Sequence, residues 1–557
     1  MKSAILFLGL LGTAFGYTGT SPTLTTDGSR SDVVAAIAAA VDGDTLTIPA
    51  GTFSWTSGIT ISGKGIKLQG AGSGRVVARS NTSVTIGTGS KTFTLQAEQV
   101  ASIEALKSAL TGGTALKVAR TGGEVAGGVP NGNLPWMVGT ITSYNAGTRE
   151  LVMNITGVNH SGTHTVWNFS TDATTTIVDA AGDNTVLVAI TEDTTHSVEV
   201  SGIRFKHAAI YTSGWVLGKT TIDMGYASGG QPILVHDCYF EHTEYGFPFL
   251  AHTNRGVIWD CSLVNVIYVA NNQGIKYTNN STAAASWSSA STMGMADTTG
   301  KNNLYVEDST LVAWQTGTDI DNGGRVVLRN CLMDHSGALT HGADSSNFGQ
   351  RHFEIYDNQF VRENYSNATT LNVTKWFLIR GGTGLFARNT TSAFGGGDYP
   401  ISNVGDLAMW NIQLTTEGPN PHWGKDIGGV QYHCPRQIGF GYVTGAGVDG
   451  LGRSPNDAWA YVGDSEPFYI WGNTNNTPAI APYGAQQPGE DNIADYVQAG
   501  RDFFADGTVK PGWTSYTYPH PLTGEAPVIP SGSGSVAFGA GAGSASFGAG
   551  SGSASFQ

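Results

Sequence analysis

Acids, imidazoles and guanidinium groups crowd one stretch of this sequence: Asp319 and Asp321 in TDIDNGGR, His341 and Asp344 in THGADSS, Arg325, Arg351 and His352 at the start of apolar runs, and Arg380 in IRGGTG. Hard cations take oxygen ligands, so Asp319, Asp321 and Asp344 form a candidate calcium site. His341 titrates near neutral pH and is the candidate base; Arg351 or Arg380 would clamp a carboxylate or stabilise an enediolate. Asn271, Arg325, His352 and Trp314 are candidate substrate contacts, with Trp376 and Tyr365 nearby for sugar stacking. Such a set suits abstraction of a proton from a carbon acid, which needs a base at the carbon and cations to neutralise the developing charge. Singly, each residue has a plainer role: an Asp after a strand caps a turn, a His before Gly sits at a corner, an Arg ties loops to carbonyls, a Trp packs in the core. Only joint placement makes a site of them.

What would bring them together is a repeated frame. VSGIRF (200–205), VHDCYF (235–240), IWDCSL (258–263), VEDSTL (306–311), LRNCLM (328–333) and IYDNQF (355–360) all read aliphatic, any, Asp/Asn/Gly, small or Asn, any, large apolar. Their starts differ by 35, 23, 48, 22 and 27 residues. The short intervals fit one turn of a solenoid; the longer ones fit a turn with an inserted loop, or two turns with one degenerate. Stacked coils bring like residues about 4.8 Å apart, so the first and last positions build apolar ladders and the polar third position takes the corner. Counting thirteen residues from three frame starts lands on Asn271, Asp319 and His341, which predicts one polar column. Cys238, Cys261 and Cys331 share the fourth position, interrupted by Ser309, which predicts a stack of small buried thiols; Cys238 and Cys261 in adjacent coils would also be close enough for a disulfide.

Composition agrees with a turn-rich β protein: 77 glycines in 557 residues, with only 13% charged residues. The formal charge of −14, with 29 scattered Lys and Arg, argues against nucleic acid as a partner. MKSAILFLGLLGTAFG reads as a signal peptide over 1–16, with a lysine, a short apolar run and small residues before a cut ahead of Tyr17. That run is too short to cross a bilayer and none later is longer, so the expectation is a secreted or cell-surface protein with no transmembrane segment. No Cys/His spacing matches a zinc site.

SDVVAAIAAAVDGDTLTIPAGTF reads as a helix capped by Ser31 or Asp32, with Val33, Val34, Ile37 and Val41 on one face, stopped by Gly43 ahead of a strand. This opening resembles the N-terminal cap of right-handed parallel β-helix proteins of the pectate-lyase-like superfamily. The resemblance implies an all-β solenoid whose open end is covered by the helix. GRDFFADGTVKPGWTSYTYPHPL, with RQIGFGYVTG and EPFYIWGNT before it, resembles the end of bacterial secreted β-helix proteins of mostly unassigned function. That likeness extends back over VEDSTL, GGRVVLRN, THGADSS, RHFEIYDNQF and IRGGTG, covering most of 200–522. Within 101–175, WMVGTITSYNAGTRELVMNITGVNHSGTHTVWNF alternates around an Asn-Ala-Gly turn and predicts an antiparallel hairpin insertion, similar to a module of phage tail-associated and other extracellular proteins.

The expected organisation is therefore a cap and first coils over 17–100, the insertion, the β-helix proper over 176–480, an extended segment packing on the solenoid over 481–529, and a tail over 530–557. The tail's nine-residue repeat puts Phe538, Phe547 and Phe556 in register, either on a flexible Gly/Ser/Ala tract or as a docking tail for a surface or assembly partner. The resemblance implies a polysaccharide partner and, among activities, β-elimination on an acidic polysaccharide. Lyases of this fold often use Arg or Lys as base, where this sequence offers His341, and no complete lyase signature is present. A β-helix glycoside hydrolase is the competing enzyme; THG resembles an element of polygalacturonases, but DID separates the two acids and the RIK element is missing. A non-catalytic glycan-binding surface protein or phage-tail-like adhesin is the alternative from a different class.

Overall fold

The computed structural model describes residues 16–524 apart from several stretches, chiefly 96–114, 120–135, 208–219, 266–272, 278–296, 341–349, 362–375, 392–406, 410–424, 440–464, 475–480 and 483–497. The predicted signal peptide and the Phe-repeat tail thus lie outside the described residues, Gly16 excepted. Three long sheets dominate, of 13, nine and ten strands, here sheets I, II and III. The chain visits them in turn: Ile233–His236, Tyr239–His242 and Phe247–Ala251 make one coil, and Gly256–Trp259, Ser262–Asn265 and Gln273–Tyr277 the next. Each strand pairs in parallel with its counterpart one coil on. The protein is a parallel β-helix.

The frames set the register. Val200, Val235, Ile258, Val306, Leu328 and Ile355 are successive Cα partners in sheet I. The 48-residue interval is therefore a single coil with a long excursion. First-position side chains face the core, as do the last-position Phe205, Phe240, Leu263, Leu311, Met333 and Phe360. The third position has a sharper cause than side-chain bonding: Asp237, Asp260, Asp308, Asn330 and Asp357 all hold left-handed φ values between 48° and 58°, and Gly202 sits at 66°. Asp, Asn and Gly adopt that conformation at least cost, and the I-to-II corner demands it once per coil.

The fourth position is a hydrogen-bonded ladder. Cys238, Cys261 and Cys331 are free thiols, each donating to the first-position carbonyl one coil back, those of Val200, Val235 and Val306, at 3.6–3.7 Å. Asn358, Asn389 and Asn473 repeat the bond through their amides, to Leu328, Ile355 and Phe386. A small donor is what the position requires, and Cys and Asn both supply one.

At the N-terminal end the helix runs Arg30–Ala39 and is capped by Ser29, whose Oγ accepts from the Asp32 amide; neither Ser31 nor Asp32 is the cap. Val33, Ala36 and Ile37 are buried against the first coil, while Val34 and Val41 face solvent because the helix ends before Val41 comes round. The insertion leaves between Lys67–Gly70 of sheet I and Thr176–Asp179 of sheet II. It begins earlier than alternation suggests, because Val76–Ser80 and Gly89–Thr94 are strands of its six-stranded antiparallel sheet rather than of a coil. It has its own core around Phe93, Met137, Met153 and Trp167. Arg75 and Arg79 tie it to the solenoid, reaching corner residues Asp237 (2.9 Å) and Asp260 (3.2 Å), and Asp334 of sheet II (3.7 Å).

The segment after Gln498 runs back along the outer face of sheet I. Phe503–Phe504 pairs with Phe468–Trp471; Trp513 packs on Tyr356 and Trp471; the carbonyls of Tyr516 and Thr517 accept from Arg329; the His520 amide donates to Glu307. Arg329 and Glu307 form a fully buried ion pair beneath it, between Tyr305 and Tyr356.

Candidate functional site

Alternation within sheet III separates core from outer face. Ile275 and Tyr277 point into the core, so Lys276 points out; Asp319, ahead of the core residue Ile320, does the same, as does Asp223 between Ile222 and Met224. Register joins them: Asp223 lies beside Leu250, Leu250 beside Lys276, Lys276 beside Asp319, and Asp319 beside Leu339. At about 4.8 Å per coil, the row from Asp223 to Asp319 extends about 14 Å.

This replaces the predicted column. The Cα partners of Asp319 are Lys276 and Leu339, in the places that the fixed offset gave to Asn271 and His341. A fixed offset works across the I-to-II corner, where six residues always suffice. It fails between sheets II and III, where connections differ in length: Lys276 lies 18 residues after its frame start, Asp319 13 and Leu339 11. Asn271, His341, Asp344 and Arg380 themselves lie outside the described residues.

Lys276 is the centre of the row. Its Nζ lies 2.9 Å from Asp319 Oδ2 and 3.0 Å from Asp321 Oδ2, and Gln273 also donates to Asp319. Burial works against the ammonium, but the charges of Asp319 and then Asp321 outweigh it and hold Lys276 above its ordinary range. The two aspartates therefore embrace a permanent cation of the chain itself. A divalent ion at these two carboxylates would have to displace the ammonium, and Asp344, the third expected calcium ligand, lies outside the described residues. At the other end, His252 Nε2 lies 3.2 Å from Asp223 Oδ1, an imidazole oriented by a carboxylate. Side-chain exposure along the row is 24% for Asp223, 5% for His252, 12% for Lys276, none for Asp319 and 9% for Asp321.

A second cluster occupies the corner where sheet III hands over to sheet I. Arg325 and His352 are register partners at the start of their strands, and Arg351 precedes His352. All three are buried. Arg351 is held by Glu466 at 2.6 and 3.1 Å, and His352 Nε2 lies 2.9 Å from Glu354 Oε1. Burial, and next the charge of Arg351, bring Arg325 down to about 10. The structure places Arg325, Arg351 and His352 side by side under the C-terminal segment, to which Lys510 and Trp513 belong. Trp314 is corrected outright: it is fully buried in the solenoid core with Nε1 donating to Leu263 O at 2.9 Å, so it offers no face to a sugar. Trp376 is likewise a core residue, packed on Phe360.

Lys276, His252 and Asp223 escaped the sequence reading because no frame-like string marks sheet III. The available signal was a lone charged residue between inward apolar ones, in GIKY and TIDM. No helix among the described residues is long and apolar enough to cross a membrane.

No protein-family model matches this chain, and no curated protein does. Among solved structures it is similar to the complex structure of XylC with xylose, at 8% identity over 70% of this chain and 74% of that one, with a TM-score of 0.23. The Gp54 tailspike of Acinetobacter baumannii bacteriophage AP22, in complex with A. baumannii capsular saccharide, matches at 11% identity over 66% and 56%, with a TM-score of 0.18. Tailspike protein gp49 from Pseudomonas phage LKA1 matches at 12% identity over 69% and 67%, with a TM-score of 0.17.

Proposed function

We propose that this is an exported polysaccharide-binding β-helix protein whose contact face is the outer side of sheet III. The observation that carries the reading is the row Asp223, His252, Lys276, Asp319 and Asp321, gathered from four successive coils. Charges placed on the outer side of a solenoid sheet are not forced there by the fold; apolar residues of similar volume would pack at least as stably. A carboxylate and ammonium row at a fixed coil spacing offers repeated acceptors and donors to the hydroxyls of an extended polymer, fixing its register.

β-Elimination on an acidic polysaccharide is a second reading, favoured by one feature: His252 is oriented by Asp223 and stands on the face that carries Lys276. An imidazole so held is placed to accept a proton, and the lysine charge lies within reach of a uronate carboxylate.

Affinity electrophoresis against a panel of neutral and uronate polysaccharides tests the binding. Retardation by at least one polymer, reduced about tenfold or more in Lys276→Met and in Asp319→Asn and unaffected by chelator, supports the sheet III face. Folded variants retarded as strongly as the parent would move the contact elsewhere, and no retardation by any polymer would end the reading. Ultraviolet absorbance of an unsaturated product, lost in His252→Ala, separates elimination from binding alone; new reducing ends without absorbance would indicate hydrolysis.

A further inference from the structure

Lys276 and Asp319 are arranged as reactants as well as an ion pair. They are Cα partners one coil apart on sheet III, with Nζ 2.9 Å from Asp319 Oδ2, so the nitrogen stands one covalent bond further from the carboxyl carbon Cγ. The Asp319 side chain is wholly buried and that of Lys276 nearly so. In water, joining an ammonium to a carboxylate is uphill, because two hydrated ions are given up. Here the fold has already withdrawn both from water, where a neutral amide is better suited than two charges. Strand register holds the partners together and replaces a bimolecular encounter with a fixed contact. Two further groups complete the set. Asp321 Oδ2, just past the end of strand Thr316–Ile320, lies 3.0 Å from the same Nζ. Gln273 donates its amide to Asp319 Oδ2, the oxygen that faces Nζ. By contrast, Lys67, paired with Glu199, and Lys206, paired with Glu241, are 53% and 33% exposed and keep their hydration.

We propose that Lys276 and Asp319 condense to an isopeptide bond between coils, with Asp321 as the proton carrier and the Gln273 amide as the oxyanion donor. The ammonium keeps its charge for as long as the pair is unreacted and loses it only together with the charge of Asp319. Asp321 takes a proton from Nζ, whose lone pair then forms the bond to Cγ. Negative charge gathers on Oδ2, where Gln273 donates. Oδ1 leaves as water with two protons from Nζ, passed by way of Asp321, which ends ionised as it began. One N–C bond forms, one C–O bond breaks, and nothing is oxidised or reduced. The charges of Asp319 and then Asp321 that hold Lys276 as an ammonium keep the free amine scarce, so the step is slow and depends on a proton acceptor already in contact. The bond closes an interval of 43 residues and fastens two coils at the base of the excursion between them. It goes beyond the polysaccharide reading and is detected without any ligand.

Mass measurement and tryptic mapping of the denatured full chain test it. Trypsin should fail to cut after Lys276, and segment 256–301 should appear joined to segment 302–325, lighter than the two together by one water. Fragmentation of that species should place the link between Lys276 and Asp319. Lys276→Arg keeps a cation that does not condense and should yield linear peptides alone. Asp321→Asn keeps the volume without the proton carrier and should lower the linked fraction about tenfold or more, with Asp321→Glu restoring most of it. Complete cleavage after Lys276 in the parent chain, a link to Asp321 in place of Asp319, or a folded Asp321→Asn chain linked as fully as the parent would each overturn the assignment. If Asp321→Asn does not fold, the parent's own peptides decide. A linked chain that binds no polysaccharide would end only the binding reading, and an unlinked chain that binds one would end only this proposal.

Discussion

The outer faces of sheets I and III solve the same problem differently. Both carry charges out of water on a flat parallel sheet. On sheet I, Glu307 and Arg329 match one to one, and the C-terminal segment supplies the remaining acceptors and donors from its backbone. Around that pair Tyr305, Tyr356 and Trp471 bury apolar surface under Trp513 and Tyr516. On sheet III the charges are strung along the sheet from Asp223 to Asp321, with Lys276 between two acids. The contrast is that the first set of charges fastens the C-terminal segment to the solenoid, whereas the second runs across successive coils, the arrangement on which the proposed polysaccharide contact rests.

The largest expected effect breaks the sheet I side of this comparison. Glu307→Ala leaves Arg329 buried without its carboxylate and should cost about 3–5 kcal/mol in denaturant unfolding, whereas Glu307→Leu with Arg329→Met should be near neutral. On sheet III, Asp319→Asn should cost less, about 1–3 kcal/mol, while lowering polysaccharide binding. A stability loss equal to that of Glu307→Ala, with binding intact, would mean that the row is scaffolding too.

Two histidines on the sheet I side sharpen the contrast through pH. His520 accepts from the Leu522 amide at Nδ1 and donates from Nε2 to the Asp297 carbonyl, and burial brings it down to about 4. Its folded value lies below the unfolded one, so its contribution is complete above about pH 6.5 and is lost as pH falls towards 4. His236 is opposite in sign: burial opposes its charge, but bonds to Asp237 (2.8 Å) and Glu199 (3.3 Å) raise it to about 9. It also stacks on Trp259 at 4.2 Å. Its contribution is complete below about pH 6.5 and is lost as pH rises through 9. Thermal midpoints measured from pH 4 to 10 should fall on both sides of neutrality, with His520→Asn flattening the acid limb and His236→Asn the alkaline limb, each by about 1–3 kcal/mol.

The smallest expected effect lies at a corner shared by every coil. Asn330 holds φ 53°, so Asn330→Ala should cost about 1 kcal/mol in thermal unfolding and Asn330→Gly close to nothing. An alanine variant as stable as the parent would mean that the corner tolerates a right-handed alternative.

The six-residue frame carried most of the fold in the sequence. It spans the I-to-II corner, where chain length is fixed at every coil and only Asp, Asn, Gly and, at Arg388, a long basic residue take the left-handed position. Local geometry therefore wrote itself into residue type, and the core ladders and thiol column followed from it. The corner cluster was half legible: Arg325, Arg351 and His352 stand in adjacent strands, but Lys510 comes from far along the chain. The sheet III row was not legible, because each II-to-III connection has its own length and partners there depend on where the chain re-enters, not on residues counted from a frame. Sequence alone determined what repeats within hydrogen-bonding distance along the chain. Only the tertiary structure decided that Lys276 lies between Asp319 and Asp321, and that Trp314 is core, because contacts between coils are set by stacking whole turns of unequal length.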